Sequence, residues 1–478
     1  MPSLPSVTEP PSITPRLIPS AEAFQACLLE SLEQKLPLVG GFPPHVSQLS
    51  LYAFTALNWR GLVVSVCLDE AQLELNMDIL RLSGFEEPEV TLLHEGLMPH
   101  QQRAVYENLN QNRVKLLLTT PESFASVRFL AALARLPLTL LVVEDAQNLV
   151  PGFKAAGRYR PVVNAIQRMD PLPPLCLLTG PMGPRWHWQI LDALGAEGGL
   201  FCQYAPPEGS SLASIRFQVH PCLTRHQQFS QLGYWVSQDS GSVLVRADDN
   251  STAFRLGAAL DQLGITPVWL DPFARLVPPG MEPPDPRIVR QARKTSPQSA
   301  LVSVGYPTRF WGANPNTPHT VLWWELPTHL GDVLWDALSV PAAKTATQAS
   351  MTLHLCYSKD GLADSWQRMQ RDTRYQNQQL PRSSSEGSSA NASVSYRQGV
   401  QQALEAVRDW YFSEESCRLV SLARFMDWPL TFSNPSQLTC GQCDVCQQQQ
   451  HGPVGFLARI LGALPTPARS YLRRLLYS

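Results

Sequence analysis

The sequence lacks any apolar run of about 18 residues, the length that an α-helix needs to span a bilayer. Its first residues, MPSLPSVTEPPS, contain no basic stretch followed by an apolar one, so we expect no secretory signal peptide. The net charge of −2 excludes a global basic field that would draw the whole chain to nucleic acid. Any nucleic-acid site must therefore be local. From the lack of an apolar span and of a signal peptide, we expect a cytoplasmic protein with no membrane partner.

The cysteines do not follow a disulfide framework, although the sequence contains ten of them. Single cysteines in apolar segments are typical of small buried side chains in a reducing compartment. Six of the ten fit this description: Cys27, Cys67, Cys176, Cys202, Cys222 and Cys356. We therefore expect these six to act as small buried hydrophobic residues.

Short apolar runs alternate with helical patterns through most of the chain. The runs are leucine-rich or β-branched and nearly uninterrupted, which is typical of parallel strands covered on both faces. One set lies at 61–68, 114–120, 138–145 and 175–180, and a second at 241–249, 265–270, 300–305 and 320–327. This alternation predicts an α/β fold with two tandem parallel-sheet lobes. A cluster of cysteines after them, described below, predicts a small helical zinc-binding module as the last part of the fold.

Changes in composition along the chain predict where its domains begin and end. The first residues are rich in Pro and Ser, and 376–393 is a low-complexity stretch that we expect to be a flexible linker. A helix is expected at about 396–427. The predicted domains are a disordered tail at 1–21, a first lobe at 22–206, a second lobe at 207–356, a connector at 357–399, the zinc-binding module at 400–450 and a basic segment at 451–478.

Four cysteines near the end of the sequence have the spacing of a metal site. Cys440, Cys443 and Cys446 form two overlapping C-x2-C steps, and Cys417 precedes them on a predicted helix. Four thiolates complete the tetrahedral shell of a structural zinc ion, whereas a catalytic zinc keeps one position open. The alternatives are a redox-active pair and a chance grouping, but three cysteines within seven residues favour structural zinc.

Two adjacent acids, Glu144 and Asp145, end the predicted strand LTLLVVED. A carboxylate pair at this place is suited to holding a nucleotide-bound magnesium ion and orienting the water that attacks the phosphate. The alternative is an ordinary strand end with two solvated acids. The pair alone does not decide between the two.

The segment SCRLVSLARFMDW…CGQCDVC resembles the zinc-binding segment of the RecQ-family DNA helicases of superfamily 2. Upstream segments resemble that family's motifs in the family's order: GLVVSVCLDEAQLELNMDILRLSGF, LTTPESF, GRYRP, LCLLTG and SGSVLVRADD. The resemblance covers about residues 22–450. It implies two RecA-like lobes, a structural zinc ion and DNA as a partner.

In this resemblance, the segment EDAQ at 144–147 stands where the family has its D-E-A-H box. The first acid of that box holds magnesium, and the second polarises the attacking water. Here the two acids are exchanged, which moves the carboxylates of Glu144 and Asp145 by about one bond length each. Displacements of this size can lower a rate on the order of 100-fold.

Other parts of the family's ATPase site are altered or missing. Gln25 matches its adenine-reading glutamine, but Gln48 falls where the phosphate loop has its lysine. The loop FPPHVSQLS lacks, at the required positions, the glycines and the hydroxyl that bind phosphate and magnesium. The family's motif with arginines that reach the γ-phosphate is replaced by WDALSVPAAK at 335–344, which contains no arginine. We expect no efficient ATP hydrolysis and leave the binding of ATP and magnesium open.

Several side chains are still suited to contacting single-stranded DNA. In GRYRP a tyrosine lies between two arginines, an arrangement suited to an unpaired base and its phosphates. The predicted DNA contacts are Arg158, Tyr159, Arg160, Thr119, Thr120 and Arg309. The alternative is that the arginines are solvated, as most arginines on surface loops are.

Three functions are compatible with these patterns. The first is a RecQ-like protein that binds DNA, preferably single-stranded, or a DNA-repair or recombination partner, without efficient ATP hydrolysis. The second is an active ATP-dependent DNA helicase in which shifted residues restore the site. The third is a protein-interaction scaffold on a helicase fold. The zinc segment and GRYRP favour the first, whereas the near-neutral charge favours the third.

Overall fold

The computed structural model places two parallel sheets and a pair of C-terminal helices. The described residues are 16–204 except 19, 43–47, 69, 152, 154 and 181; 216–269 except 239–242 and 248–249; 299–304; 320–324; 329–334 except 332; 352–358; 363; 367; 388–427 except 414–415; and 443–446. Parts of the predicted tail, connector and zinc-binding module, and the whole basic segment 451–478, lie outside them.

The first sheet has eight strands, and every pairing between them is parallel. The strands are β1 (Arg16–Ile18), β2 (Leu38–Gly41), β3 (Leu62–Val66), β4 (Val90–Leu93), β5 (Leu116–Thr119), β6 (Leu138–Val143), β7 (Leu175–Thr179) and β8 (Leu200–Tyr204). Their order across the sheet is β1-β8-β2-β7-β6-β3-β5-β4. The carboxyl ends of all eight strands therefore lie along the same edge.

Helices connect these strands and cover both faces of the sheet. They are α1 (Ala21–Gln34), α2 (Leu49–Asn58), α3 (Glu70–Leu82), α4 (Pro99–Asn110), α5 (Pro121–Phe124), α6 (Val127–Leu133), α7 (Ala156–Gln167) and α8 (Pro184–Leu194), with a 3-10 turn at Ala146–Leu149. Ser20, Thr120 and Ser126 accept hydrogen bonds from backbone N–H groups at the starts of α1, α5 and α6, which fixes where these helices begin.

The strands supply two cores because successive side chains point to opposite faces. Val63 and Leu140 enter one core, where they pack with residues of α1, α2 and α3. Val64 and Leu141 enter the other, which continues into the second sheet through Leu353 and into the C-terminal helices. This double burial explains why the strands read as uninterrupted apolar runs in the sequence.

Within the described residues the second sheet has six strands, and every pairing between them is again parallel. Its strands are β9 (Arg216–Cys222), β10 (Val243–Ala247), β11 (Thr266–Trp269), β12 (Ser299–Val304), β13 (Thr320–Trp323) and β14 (Thr352–Ser358), in the order β11-β12-β10-β13-β14-β9. Two helices pack with it, α9 (Arg225–Gln238) and α10 (Asn250–Gln262). The predicted fold class, two tandem α/β lobes with parallel sheets, is confirmed.

The C-terminal helices and the domain ends differ in detail from the prediction. The single helix expected at about 396–427 is wrong, because α11 (Ser388–Phe412) and α12 (Arg418–Phe425) are separate helices. The N-terminal part of α11 occupies the end of the predicted flexible linker. In the same way β1, which pairs with β8, lies within the segment predicted to be disordered. Among the described helices none is long and apolar enough to cross a membrane.

Candidate functional sites

Glu144 follows β6 directly, and its side chain is enclosed in the first lobe. Only 1% of the residue is exposed. The hydroxyl of Tyr52 donates a hydrogen bond to Oε1 at 2.6 Å, and Asn76 Nδ2 donates to the same oxygen at 3.2 Å. Gln72 donates to Oε2. These donors come from α2 and α3, so the carboxylate joins both helices to the end of β6.

The donors around Glu144 are neutral side chains. Burial and the negative charge of Glu144 raise the pKa of Tyr52 well above its ordinary value, so Tyr52 stays protonated and keeps donating. A buried carboxylate needs such hydrogen bonds because it has lost its water. These partners were not predicted from the sequence, although Gln72 and Asn76 are spaced by four residues and therefore share one face of α3.

Asp145 adopts a left-handed backbone conformation, with φ of 53°, which is uncommon for a residue other than glycine. It is also buried, with 4% of its surface exposed. Gln147 Nε2 donates to Asp145 Oδ1 at 3.1 Å, and Gln147 Oε1 accepts from the N–H of Gly180 at 3.1 Å. The EDAQ segment thus connects the carboxyl ends of β6 and β7. The strand does not end in solvated acids.

The residues matched to nucleotide-binding positions are also held within the protein. Gln25 Nε2 donates to the backbone oxygen of Ser50 at 3.3 Å, which ties α1 to the start of α2. Gln48 precedes α2 and is 5% exposed. The loop residues 43–47 and the segment 335–344 lie outside the described residues.

The glycines before this loop have a packing role. A Cβ on Gly40 would lie 2.6 Å from the Phe24 ring and 2.7 Å from the Phe42 ring. A Cβ on Gly41 would lie 3.4 Å from His187 Nε2. Gly40 is therefore required by the aromatic rings that close over β2.

The predicted DNA-contacting segment GRYRP is not an exposed loop. It forms part of α7, in which Tyr159 is fully buried and donates its hydroxyl to the backbone oxygen of Glu144 at 2.9 Å. Tyr159 therefore cannot stack on a base, and that part of the prediction is wrong. Arg158 makes two hydrogen bonds to Glu122, at 2.6 and 3.0 Å, and Arg160 is half-buried.

The two threonines predicted to contact DNA are buried. Thr119 donates its hydroxyl to the backbone oxygen of Leu93 at 2.8 Å, and so joins β5 to β4. Thr120 caps α5 by accepting from the N–H of Ser123. Both hydroxyls thus have structural partners. Arg309 lies outside the described residues.

Three of the four predicted zinc ligands come together. The sulfur atoms of Cys417, Cys443 and Cys446 lie within 4.8 Å of one another, and all three residues are buried. Cys417 is the residue that precedes α12. Converging buried sulfurs suit zinc, which four thiolates bind tetrahedrally. Cys440, the predicted fourth ligand, lies outside the described residues.

An ion pair braces this cysteine cluster. Arg418 follows Cys417 and donates to both carboxylate oxygens of Asp444, at 3.1 and 3.0 Å. Its third nitrogen donates to the backbone oxygens of Trp410 and Tyr411 at the end of α11. A two-pronged arginine–carboxylate contact fixes orientation as well as distance. It therefore holds the segment 443–446 against α11 and α12, and Cys417 lies between these two helices.

Four rings form a junction between the two lobes and the C-terminal helices. Phe153 in the first lobe stacks on His329 of the second, with ring centroids 3.8 Å apart. Trp186 on α8 packs against both rings and against Phe425 on α12. This junction was not predicted from the sequence, because its members are far apart along the chain.

Polar contacts reinforce the junction between α8 and α12. Trp186 Nε1 and a guanidinium nitrogen of Arg185 both donate to the backbone oxygen of Phe425, at 3.1 and 2.8 Å. The N–H of Gly183 donates to the oxygen of Met426 at 2.9 Å. A Cβ on Gly183 would lie 1.7 Å from the backbone oxygen of Asp427. Only glycine fits there, so the close packing of residue 183 against residues 426–427 depends on this glycine.

Comparisons with known proteins give similarity at the level of solved structures only. No protein-family model and no curated protein matches the chain. The chain is similar to the Mycobacterium smegmatis helicase Lhr bound to ssDNA and AMP-PNP, with 15% identity and a TM-score of 0.47, over 82% of this chain and 56% of that one. It is similar to S. cerevisiae Dbp5 bound to RNA and ADP BeF3, with 10% identity and a TM-score of 0.48, over 80% and 93%.

A third similar structure is the DUF1998 helicase MrfA bound to DNA, with 12% identity and a TM-score of 0.49, over 75% of this chain and 49% of that one. The chain thus spans about half the length of Lhr and MrfA. Similarity of this degree identifies neither a family nor an activity.

Proposed function

We propose that this chain is a RecQ-like protein of superfamily 2 that binds nucleic acid without hydrolysing ATP. The enclosed carboxylate of Glu144 carries the proposal. In the RecQ resemblance this position belongs to the acid that holds magnesium, whereas here the side chain is 1% exposed and hydrogen-bonded to α2 and α3. In this proposal Glu144 stabilises the fold and does not hold a magnesium ion.

Magnesium binding would require Glu144 to exchange these hydrogen bonds for an ion. Magnesium demands near-ideal octahedral oxygen ligands at about 2.0–2.1 Å and gives up its waters reluctantly. Tyr52 already approaches Oε1 to 2.6 Å. Moving the carboxylate would leave the buried donors Tyr52 and Asn76 without their acceptor, at about 1–3 kcal/mol each. This cost works against a magnesium–nucleotide complex.

The zinc site supports a retained binding module. Cys417, Cys443 and Cys446 converge, and Cys440 of the CGQC segment supplies the fourth thiolate in this proposal. Bound zinc would tie α12 to the segment that follows it, and contribute directly to folding. It would have a structural role, because four cysteines leave no position for a substrate.

The nucleic-acid surface in this proposal lies at the carboxyl edge of the first sheet. With Tyr159 buried, Arg158 and Arg160 provide phosphate contacts without base stacking. The pair between Arg158 and Glu122 is exposed, with side chains 42% and 33% accessible. Exposed pairs contribute about 0–1 kcal/mol, so a phosphate can replace Glu122 at little cost.

A protein-interaction scaffold is the second candidate function. It is favoured by the same two observations that weaken the nucleic-acid site, namely the ion pair of Arg158 with Glu122 and the burial of Tyr159. The net charge of −2 agrees with it.

One set of assays tests the proposal. ATP turnover by the zinc-loaded chain should not rise on adding single-stranded DNA, and an oligonucleotide titration at about 50 mM salt should show binding that weakens as salt is raised. Replacing Arg158 and Arg160 by Ala should weaken binding. The matched control replaces Arg113 and Arg135, two exposed arginines near the amino ends of β5 and β6, and should leave binding unchanged.

Two results would contradict the proposal. DNA-stimulated turnover that Glu144→Gln abolishes would show an active motor. Failure of the wild-type chain to bind single-stranded or duplex oligonucleotides at low salt would remove nucleic acid as the ligand and favour the scaffold.

A further inference from the structure

Two cysteines that the sequence separates widely are neighbours in the second sheet. Cys222 is the last residue of β9, and Cys356 lies in the adjacent strand β14. Their sulfur atoms are 3.6 Å apart. Cys222 is 8% exposed and Cys356 is 2% exposed. The two thiols therefore touch, with Cys222 nearer to solvent.

The end of β9 is the more exposed side of the pair. Gln228 of α9 donates to the backbone oxygen of Cys356 at 2.9 Å and so covers β14. The register places Cys356 opposite His220 and Cys222 opposite Ser358, so the two sulfurs meet diagonally across the strands. Beyond Cys222 the chain enters a turn whose first residue, Leu223, is 80% exposed. A small reagent can reach Cys222 from this side.

We propose that Cys222 and Cys356 are a redox modification site that a hydroperoxide converts reversibly into a disulfide. In the first step the Cys222 sulfur attacks a peroxide oxygen, which breaks the O–O bond, gives a sulfenic acid and releases water. In the second step the Cys356 sulfur attacks the sulfenic sulfur, and the hydroxyl leaves with the thiol proton as a second water. Two thiols are oxidised by two electrons in total, and hydrogen peroxide is reduced to two waters.

The division of roles follows first from exposure, because Cys222 is 8% exposed and Cys356 only 2%. The contact between the two sulfurs, 3.6 Å apart, also lowers the pKa of Cys222 and raises that of Cys356. A thiolate is the attacking form of cysteine, so Cys222 reacts with peroxide and Cys356 resolves the sulfenic acid. A disulfide bond is about 2.05 Å long, which requires the sulfurs to approach by about 1.5 Å. β9 is an edge strand, and one side of it is free of strand neighbours within the described sheet.

The cross-link would join the first and last described strands of the second lobe. Tyr357 follows Cys356 and packs on Tyr411 of α11, with ring centroids 4.3 Å apart. Oxidation therefore acts beside the contact that holds the C-terminal helices to the second sheet. Closing so long a loop restricts the unfolded chain and should raise the temperature at which this lobe melts.

A second pair of cysteines provides an internal comparison. Cys27 on α1 hydrogen-bonds to Cys202 on β8, but these residues are only 3% and 2% exposed. They belong to the core of the first lobe, so peroxide should reach them more slowly than Cys222. Cys202→Ser is thus a matched control that removes one buried thiol of the other pair.

The experiment treats the full-length, zinc-loaded chain with hydrogen peroxide, blocks the remaining thiols, and maps peptides without reduction by mass spectrometry. We expect a peptide that joins Cys222 to Cys356, a loss of two hydrogens from the intact mass, and reversal by dithiothreitol. Cys202→Ser should give the same cross-link. Cys356→Ser should stop at a sulfenic acid on Cys222, which dimedone traps.

Three results would overturn the inference. One is oxidation of Cys222 to a sulfinic acid in the wild type without the cross-linked peptide. Another is a cross-link confined to Cys27 and Cys202. The third is a cross-link that appears only together with zinc release, which would assign the chemistry to the zinc-binding cysteines. The wild-type peptide map decides the question even if a serine variant does not fold.

Discussion

Glu144 shows how a single side chain can tie several elements together at the end of a buried strand. Its carboxylate is held by Tyr52, Gln72 and Asn76, and its backbone oxygen by Tyr159. These contacts join α2, α3 and α7 to β6 around one residue. In a low-dielectric interior such a network stabilises the fold only while all of its members are satisfied.

Removing one donor from this network should therefore destabilise the first lobe. We expect Tyr52→Phe to lower the free energy of unfolding by about 1–3 kcal/mol, because Glu144 would lose one of its hydrogen bonds while remaining buried. Urea denaturation measures the change. Tyr106→Phe is the control, since Tyr106 is half-buried and outside the network, and its effect should stay within about 0.5 kcal/mol. Equal effects of the two substitutions on the free energy of unfolding would show that the hydrogen bonds to Glu144 do not stabilise the lobe.

At the scale of elements, the buried strands were the most predictable part of the chain. Runs such as 138–145 are covered on both faces, so their apolar character does not depend on how neighbours pack. The segment GRYRP was interpreted as an exposed loop because of its resemblance to a RecQ-family motif, and that interpretation is wrong. α7 accommodates Pro161 in its second turn, and Tyr159, Val162 and Ile166 are its buried face. Their helical spacing was the signal that was overlooked.

The sites were less predictable than the strands for a physical reason. The spacing of the cysteines predicted a cluster, and Cys443 and Cys446 do lie beside Cys417. The partners of Glu144 and the ring that stacks on Phe153 come from distant segments. Tyr, Gln, Asn and His occur in many structural settings, so their residue types alone do not indicate a site. Only the fold brings such residues together.

The C-terminal helices should depend on metal. We expect about one zinc ion per chain, and expect Cys443→Ser to lose it and to melt α12 at a lower temperature than the wild type, since a structural metal contributes its binding free energy to folding. Metal analysis and thermal melting measure both effects. Cys176→Ser replaces a buried cysteine in β7, away from the cluster, and should keep its zinc. A zinc-free wild type of unchanged stability would contradict the assignment.

At the scale of the whole molecule, four histidines with lowered pKa values make stability depend on acidity. Burial lowers the pKa of His187, His220 and His329 to about 3 and that of His354 to about 4. The unfolded chain has histidines with a pKa of about 6.5 and so takes up protons first as the pH falls. Stability is therefore fully present above about pH 6.5, and is lost progressively between that value and the folded pKa values.

We expect each of these histidines to contribute a loss of about 1.4 kcal/mol per pH unit below about pH 6. Urea denaturation at a series of pH values measures the slope. His187→Leu should reduce it, because His187 is fully buried, whereas His100→Gln on the surface of α4 should not. An unchanged slope in His187→Leu would show that its ring is protonated in the folded state. Holding zinc in excess keeps metal loss from adding to the slope.

The junction between α8 and α12 has a consequence for how the chain is made. Gly183 and Trp186 of the first lobe contact Met426 and Phe425, which are synthesised only after the entire second lobe. During translation the first lobe emerges before its partner exists, and Trp186, 8% exposed in the finished protein, then faces solvent or a chaperone. A ribosome that stalls within the second lobe would therefore hold a nascent chain in which Trp186 lacks its contact with Phe425.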